Sequence, residues 1–153
     1  MALFEYFPNY IWNLSVAIAL ESGGRIGEIV DMCQPIRDAA AGGDDVGTPA
    51  FMAAWAKMAD KLVELAGEDE QKGRQFSAGE KLKRASLYFS VAERMQAHGS
   101  AGRVETYAKS LDAFAKGTRM AKDNVERVTI PYEGAELSAL LTRAEGVDGP
   151  APL

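Results

Sequence analysis

His98 is the only histidine in the chain and Cys33 the only cysteine. They cannot supply a two-histidine metal site or a Cys/His cluster. His98 falls at the end of an expected helix, where a cation meets the negative end of the helix dipole, so capping is a simpler role for it than catalysis. Cys33 reads as a small buried apolar group rather than a nucleophile. The chain has no G-x-S-x-G elbow, no P-loop, and no G-x-G-x-x-G after a strand. Gly23-Gly24-Arg25-Ile26-Gly27 looks like a phosphate loop only on the surface, because it follows a helical pattern; it reads as a helix–helix turn. Glu64, Glu68, Asp69 and Glu70 cluster at a helix end, where such a run is normally a solvated face. Glu28 and Asp31 are three apart, and their expected role is pairing with Arg25 or a neighbouring arginine. Phe4, Tyr6, Phe7, Tyr10 and Trp12 form a dense aromatic group that suits either core or interface packing or the wall of an apolar ligand pocket. The same two readings apply to Tyr88, whose hydroxyl adds a polar handle. No catalytic apparatus emerges. These residues alone support a helical cap or an interaction module.

The elements that must position them are mostly helices. Ser77 to Gln96 is the central one. Ser77 and Glu80 have the S-x-x-E spacing of a capping box. Leu82, Ala85, Phe89, Ala92 and Gln96, flanked by Tyr88, Val91 and Met95, give a wide apolar stripe. A first helix is expected over 8–22, with Pro8 at its first position and Gly23-Gly24 ending it. It is apolar nearly all round, with Asn9 and Asn13 as a narrow polar strip, so it needs apolar surface on two sides. A second helix is expected over 25–40, with Ile26, Ile29, Val30, Cys33 and Ile36 inward and a break at Pro35. Residues 40–47 read as a loop. Thr48-Pro49 begins a third helix with Phe51, Trp55, Met58, Leu62 and Leu65 inward, and 67–75 is a polar connection. The fourth helix ends near His98-Gly99. A fifth runs from about Ala101 to Ala121 with Val104, Tyr107, Leu111, Phe114 and Thr118 inward. The period then switches to two. Val128, Ile130 and Tyr132, then Leu137, Ala139 and Leu141, alternate across the glycine turn at Glu133-Gly134, which predicts a β-hairpin. Pro131 confines the first strand to an edge. Two strands alone are marginal in water and must dock on something. The closing Ala-Pro-Leu looks like the approach to a further strand.

The totals narrow the classes. The chain has 153 residues, of which 47% are hydrophobic and 25% charged, the values of a globular protein. The net charge of −5 comes without a basic face, which argues against nucleic acid as a partner. No apolar run approaches the roughly 18 residues of a membrane span, and the N-terminus lacks the marks of a signal peptide. One cysteine allows no internal disulfide, and a cytoplasmic location fits best.

Three stretches carry a resemblance. They are Gly23-Gly24-Arg25-Ile26-Gly27-Glu28-Ile29, Arg84-Ala85-Ser86-Leu87-Tyr88-Phe89, and the most specific, Val125-Glu126-Arg127-Val128-Thr129-Ile130-Pro131-Tyr132-Glu133-Gly134. In this order the chain resembles the N-terminal region of the capped α/β-hydrolases that include dihydropseudooxynicotine hydrolase and the fermentation-respiration-switch-like esterases. Where that family often has Tyr-Gly-Gly, this chain has Ser22-Gly23-Gly24. The resemblance implies a mainly α fold: a five-helix cap (lid) domain over 1–122, then, over 123–153, the first two strands of an α/β-hydrolase sheet. The implied activity is hydrolysis of an ester, or of a C–C bond beside a ketone, by a Ser-His-Asp triad. The elbow, acid and histidine of that triad would all lie past residue 153, so no catalytic residue carries over and this chain alone is expected to be inactive. Tyr10, Trp12, Asn13 and Tyr88 are the residues expected to face the substrate pocket. No cofactor or metal is implied. The implied partners are the missing C-terminal hydrolase domain, an apolar small-molecule substrate and a second subunit in a homodimer, with no nucleic acid and no membrane. The alternative is a stand-alone helical interaction module.

Overall fold

Asn9, one residue after Pro8, starts the first helix. Its Oδ1 accepts from the backbone N–H of Ile11 and Trp12 at 2.9 and 3.1 Å, satisfying donors that the first turn leaves free. Pro8 therefore precedes the helix instead of opening it. The computed structural model describes residues 6–39, 48–146 and Gly149. Within them run α1 (Tyr10–Glu21), α2 (Ile26–Cys33), a 3-10 turn (Gln34–Ile36), α3 (Thr48–Gln71), α4 (Gln75–Arg94), α5 (Arg103–Ala121), β1 (Glu126–Tyr132) and β2 (Ala135–Leu141). The protein is mainly α, with a C-terminal antiparallel hairpin. Among the described residues no helix is long and apolar enough to cross a membrane. Phe4, the loop expected over 40–47 and the terminal Ala151-Pro152-Leu153 lie outside the described residues.

The chain divides into two compact units, Met1–Ala121 and Lys122–Leu153. In the helical unit, α4 packs against both α3 and α5. Rings from α1, α3, α4 and the segment before α1 form a continuous column through the core. Phe7, Trp12, Phe51, Trp55 and Tyr88 follow one another at centroid separations of 5.2, 4.9, 5.1 and 5.7 Å. Val16, Ile29, Cys33, Phe89 and Val91 close around it.

Helix boundaries follow local chemistry. Gly23 has φ +98° and turns the chain out of α1 as expected. Gly24 is required for a different reason: a Cβ there would lie 2.6 Å from the carbonyl oxygen of Ala19. Pro35 converts the end of α2 into the 3-10 turn. Of the inward set expected for this segment, Ile29, Cys33 and Ile36 are buried while Ile26 and Val30 are exposed; Met32 takes their place. α3 runs on through the expected polar connection as far as Gln71. Its buried face is Phe51, Trp55, Ala59, Leu62, Ala66 and Asp69, so Met58 and Leu65 lie at the margin.

The capping box expected at Ser77 and Glu80 does not form, because α4 begins two residues earlier, at Gln75. Ser77 Oγ instead donates to Asp69 Oδ2 at 2.6 Å. Asp69 also binds Lys81, so it is a buried, partnered member of the acidic run and not part of a solvated face. The hydrogen bonds from Lys81 and Ser77 hold its carboxyl down at about 2. At the far end α4 stops at Arg94, which supplies the basic residue of the last turn; His98 lies beyond, exposed in a turn.

α5 differs most from expectation. Its buried stripe is Thr106, Ser110, Ala113, Gly117 and Met120, while Val104, Tyr107 and Leu111 are exposed. Small residues win because α4 and α5 approach closely. A Cβ on Gly79 would sit 2.6 Å from the Ala121 nitrogen and 2.8 Å from the Gly117 oxygen. Ser90 and Ser110 share a hydrogen bond of 2.7 Å across the same seam.

In the second unit Val128 faces Ala139, Ile130 faces Leu137 and Tyr132 faces Ala135. Glu133 and Gly134 both have positive φ, 48° and 81°, as a two-residue hairpin turn of type I′ requires.

Candidate functional site

The four residues expected to face a pocket are Tyr10, Trp12, Asn13 and Tyr88, and the structure separates them. Tyr10 is 69% exposed on the outer side of α1. Trp12 is fully buried in the aromatic column. Asn13 is buried as well: its Oδ1 accepts from the backbone N–H of Tyr6 at 2.6 Å and of Phe7 at 3.1 Å, pinning the segment before α1 onto the helix. The Asn9–Asn13 strip thus organises backbone and offers no polar surface.

Tyr88 belongs to a compact polar latch between α2 and α4. The glycine turn after α1 leads into Arg25, the N-cap of α2, which lacks a side-chain cap of its own. The Arg25 backbone N–H donates to the Tyr88 oxygen at 2.9 Å, and the Tyr88 hydroxyl donates to Glu28 Oε2 at 2.6 Å. Arg84 grips the same carboxylate through Nε and Nη2, both at 3.2 Å. This is the pairing of Glu28 with a neighbouring arginine, made between helices. Burial, reinforced by the Glu28 carboxylate, raises the Tyr88 pKa well above that of a free tyrosine, so the ring keeps its proton and donates. A latch of this kind holds position.

The nucleophile candidates are equally constrained. Cys33 is fully buried, and burial pushes its thiol up to about 12. A thiol so protonated does not attack. His98 is exposed in the turn that follows α4. Among the described residues there is no group of acidic, histidine or cysteine side chains that could hold a metal ion.

A cavity of about 700 Å³ opens along α2, the 3-10 turn and α3. Met32, Pro35 and Met58 are among the apolar residues that line it, and Asp31, Lys61 and Glu64 among the charged ones. It could seat an apolar group. None of the four expected pocket residues lines it. Sequence reasoning missed it because its wall uses the α3 residues beside the core stripe, Ala53, Ala54 and Lys57, which look like ordinary surface.

No protein-family model matches the chain, and no curated protein matches it either. The chemistry therefore rests on the residues themselves: a rigid helical unit, a proton-retaining tyrosine latch and a hairpin with an open apolar face.

Proposed function

We propose that this chain is the helical cap and opening hairpin of a serine α/β-hydrolase acting on an ester or on a C–C bond beside a ketone. The observation that carries the reading is the hairpin. It follows a separate compact helical unit, and its apolar face, with Ile130, Tyr132 and Leu137, lies exposed. A larger sheet continuing the hairpin would give that face a core to join. The resemblance of Val125 to Gly134 to the strand that opens the hydrolase domain points the same way. In this reading the helical unit covers the pocket, excludes water and guides an apolar substrate, and the triad comes from a C-terminal hydrolase domain. Tyr10 is the pocket candidate with a free surface; Trp12, Asn13 and Tyr88 act by holding the cap rigid. The protein works in the cytoplasm as a homodimer and uses no cofactor.

The test is the coding sequence that follows residue 153. A G-x-S-x-G within about the next hundred residues is expected. The longer polypeptide should hydrolyse p-nitrophenyl esters or a diketone, and alanine at the elbow serine should abolish this. A longer polypeptide with an intact triad but no hydrolysis of either substrate would rule the reading out.

A second reading, a helical interaction module without catalysis, is favoured by one observation: the exposed apolar stripe of Val104, Tyr107 and Leu111 on the outer side of α5. An intact module should be monodisperse, should unfold cooperatively and should require no further domain.

A further inference from the structure

The outer side of α1 does not contribute to the core of the helical unit. Tyr10, Leu14, Ala17 and Glu21 follow one another at 4-3-4 spacing and so lie along one line of the helix. Tyr10, Leu14 and Glu21 are exposed and Ala17 is half-buried, while Trp12, Val16 and Ala19 on the opposite side enter the core. Glu21 is the only charged residue of α1, although the outer side of a surface helix normally carries several. Its position is also unfavourable. A helix C-terminus carries partial negative charge that repels a carboxylate, and α1 has no basic residue in its last turn to offset this. The first turn, where a carboxylate is favoured, has no acidic residue. Among the described residues neither Tyr10 nor Glu21 uses its side chain in a hydrogen bond or ion pair.

Each end of α1 therefore lacks what the other end of an antiparallel α1 would bring. Turned end for end, the line makes the same contacts twice. Tyr10 meets the partner's Glu21, and Leu14 meets the partner's Ala17. In the middle a large residue stands opposite a small one, as close helix packing needs. At each end a tyrosine hydroxyl and the positive end of a helix dipole meet a carboxylate. A two-fold axis demands this self-complementarity, whereas a further domain of the same polypeptide would have no need of it. We infer that α1 pairs antiparallel with α1 of a second copy of this chain, through Tyr10, Leu14, Ala17 and Glu21. The inference deepens the homodimer of the reading above, on which the presence of a second subunit rests. Tyr10 then stands at the margin of the subunit contact, where it can also border a pocket.

Sedimentation equilibrium over a concentration series tests the pairing, on this chain and on the longer polypeptide. Both should dimerise. Leu14→Asp should raise the dissociation constant by at least about thirtyfold. Leu14 is partly packed, so Glu21→Lys serves as the variant that spares folding; it should weaken the dimer by about tenfold. The same change at Glu64, exposed on α3, should leave the dimer as it was. A folded Glu21→Lys chain that dimerises like the parent would overturn the proposal. So would a longer polypeptide that stays monomeric, because its own further domain would then be the occupant of this face. Cross-linking reads the orientation, with the native Cys33 buried and out of reach. A chain carrying Tyr10→Cys, mixed with one carrying Glu21→Cys, should be joined by a short bis-maleimide, and Tyr10→Cys alone should not. Efficient joining of Tyr10→Cys to itself would mark a parallel pair and overturn the assignment. Activity is scored separately. A dimer through α1 without ester or diketone hydrolysis would keep the pairing and reject the hydrolase, and hydrolysis by a monomer would do the opposite.

Discussion

The helical unit and the hairpin treat their apolar residues in opposite ways. In the helices Trp12, Phe51, Trp55, Tyr88 and Phe89 lie inside, and each ring of the column is held by the next. In the hairpin no residue of β1 or β2 is buried, although Ile130, Tyr132, Leu137 and Leu140 are as apolar as many core residues. The helices draw their stability from packing within the chain. The hairpin has hydrogen bonds and a favourable type I′ turn, but it lacks the buried face that makes strands durable. A unit that stands by itself is therefore joined to one that needs additional surface, and this asymmetry is the main physical support for the cap reading.

Mutations can break that comparison or sharpen it. Trp55→Ala removes the ring between Phe51 and Tyr88 and should cost about 3–5 kcal/mol, read as a lower denaturation midpoint of the helical unit. Gly79→Val forces a side chain into the α4–α5 backbone contact and should cost about 1–3 kcal/mol. Tyr88→Phe leaves the Arg25 N–H and the Glu28 carboxylate short of a partner, for about 1–3 kcal/mol. The tyrosine also sets a pH signature. Its pKa is raised in the folded state, so its contribution is complete below about pH 10, where a free tyrosine begins to ionise, and is lost as the pH rises further. Alkaline titration of stability should therefore be steeper in the parent than in the phenylalanine variant. At the other extreme, Ile130→Ser should change the stability of this chain by no more than about 0.5 kcal/mol. A cost there comparable to that of Trp55→Ala would mean that the hairpin already has a core.

Much of this is legible in the sequence, for reasons that also explain the failures. The hairpin can be read from its period and from Glu133-Gly134, because turn chemistry and alternation are local. The α3 face is legible through Phe51 and Trp55, where large residues mark the inside. On α5 the same rule fails. The stripe with the largest side chains is the outer one, and the inner one is made of Thr106, Ser110, Ala113 and Gly117 because the backbones nearly touch. Size signals burial only where helices are far enough apart to hold large residues. The correct stripe is visible as small residues at 4-3-4 spacing, matched by Gly79 on α4. At the α3–α4 turn, the pattern Ser77-x-x-Glu80 suggests a cap. The partner that decides the matter, Asp69, lies eight residues upstream on another helix, where local patterns cannot see it. Tyr88 stands out in the sequence as an aromatic residue with a polar handle on a core face. Its hydroxyl finds Glu28 and the Arg25 backbone, on an element distant in the chain, and so serves as a latch in the helical unit.

Amide hydrogen exchange along the chain tests the central contrast most directly. In this chain the amides that join β1 to β2, such as those of Val128, Ile130, Leu137 and Ala139, should exchange far faster than those of α3 and α4. In a polypeptide that continues past residue 153 the same amides should become protected to the level of the helices. Strands as protected as α4 in this chain alone would show that the hairpin needs no further sheet, and would contradict the account.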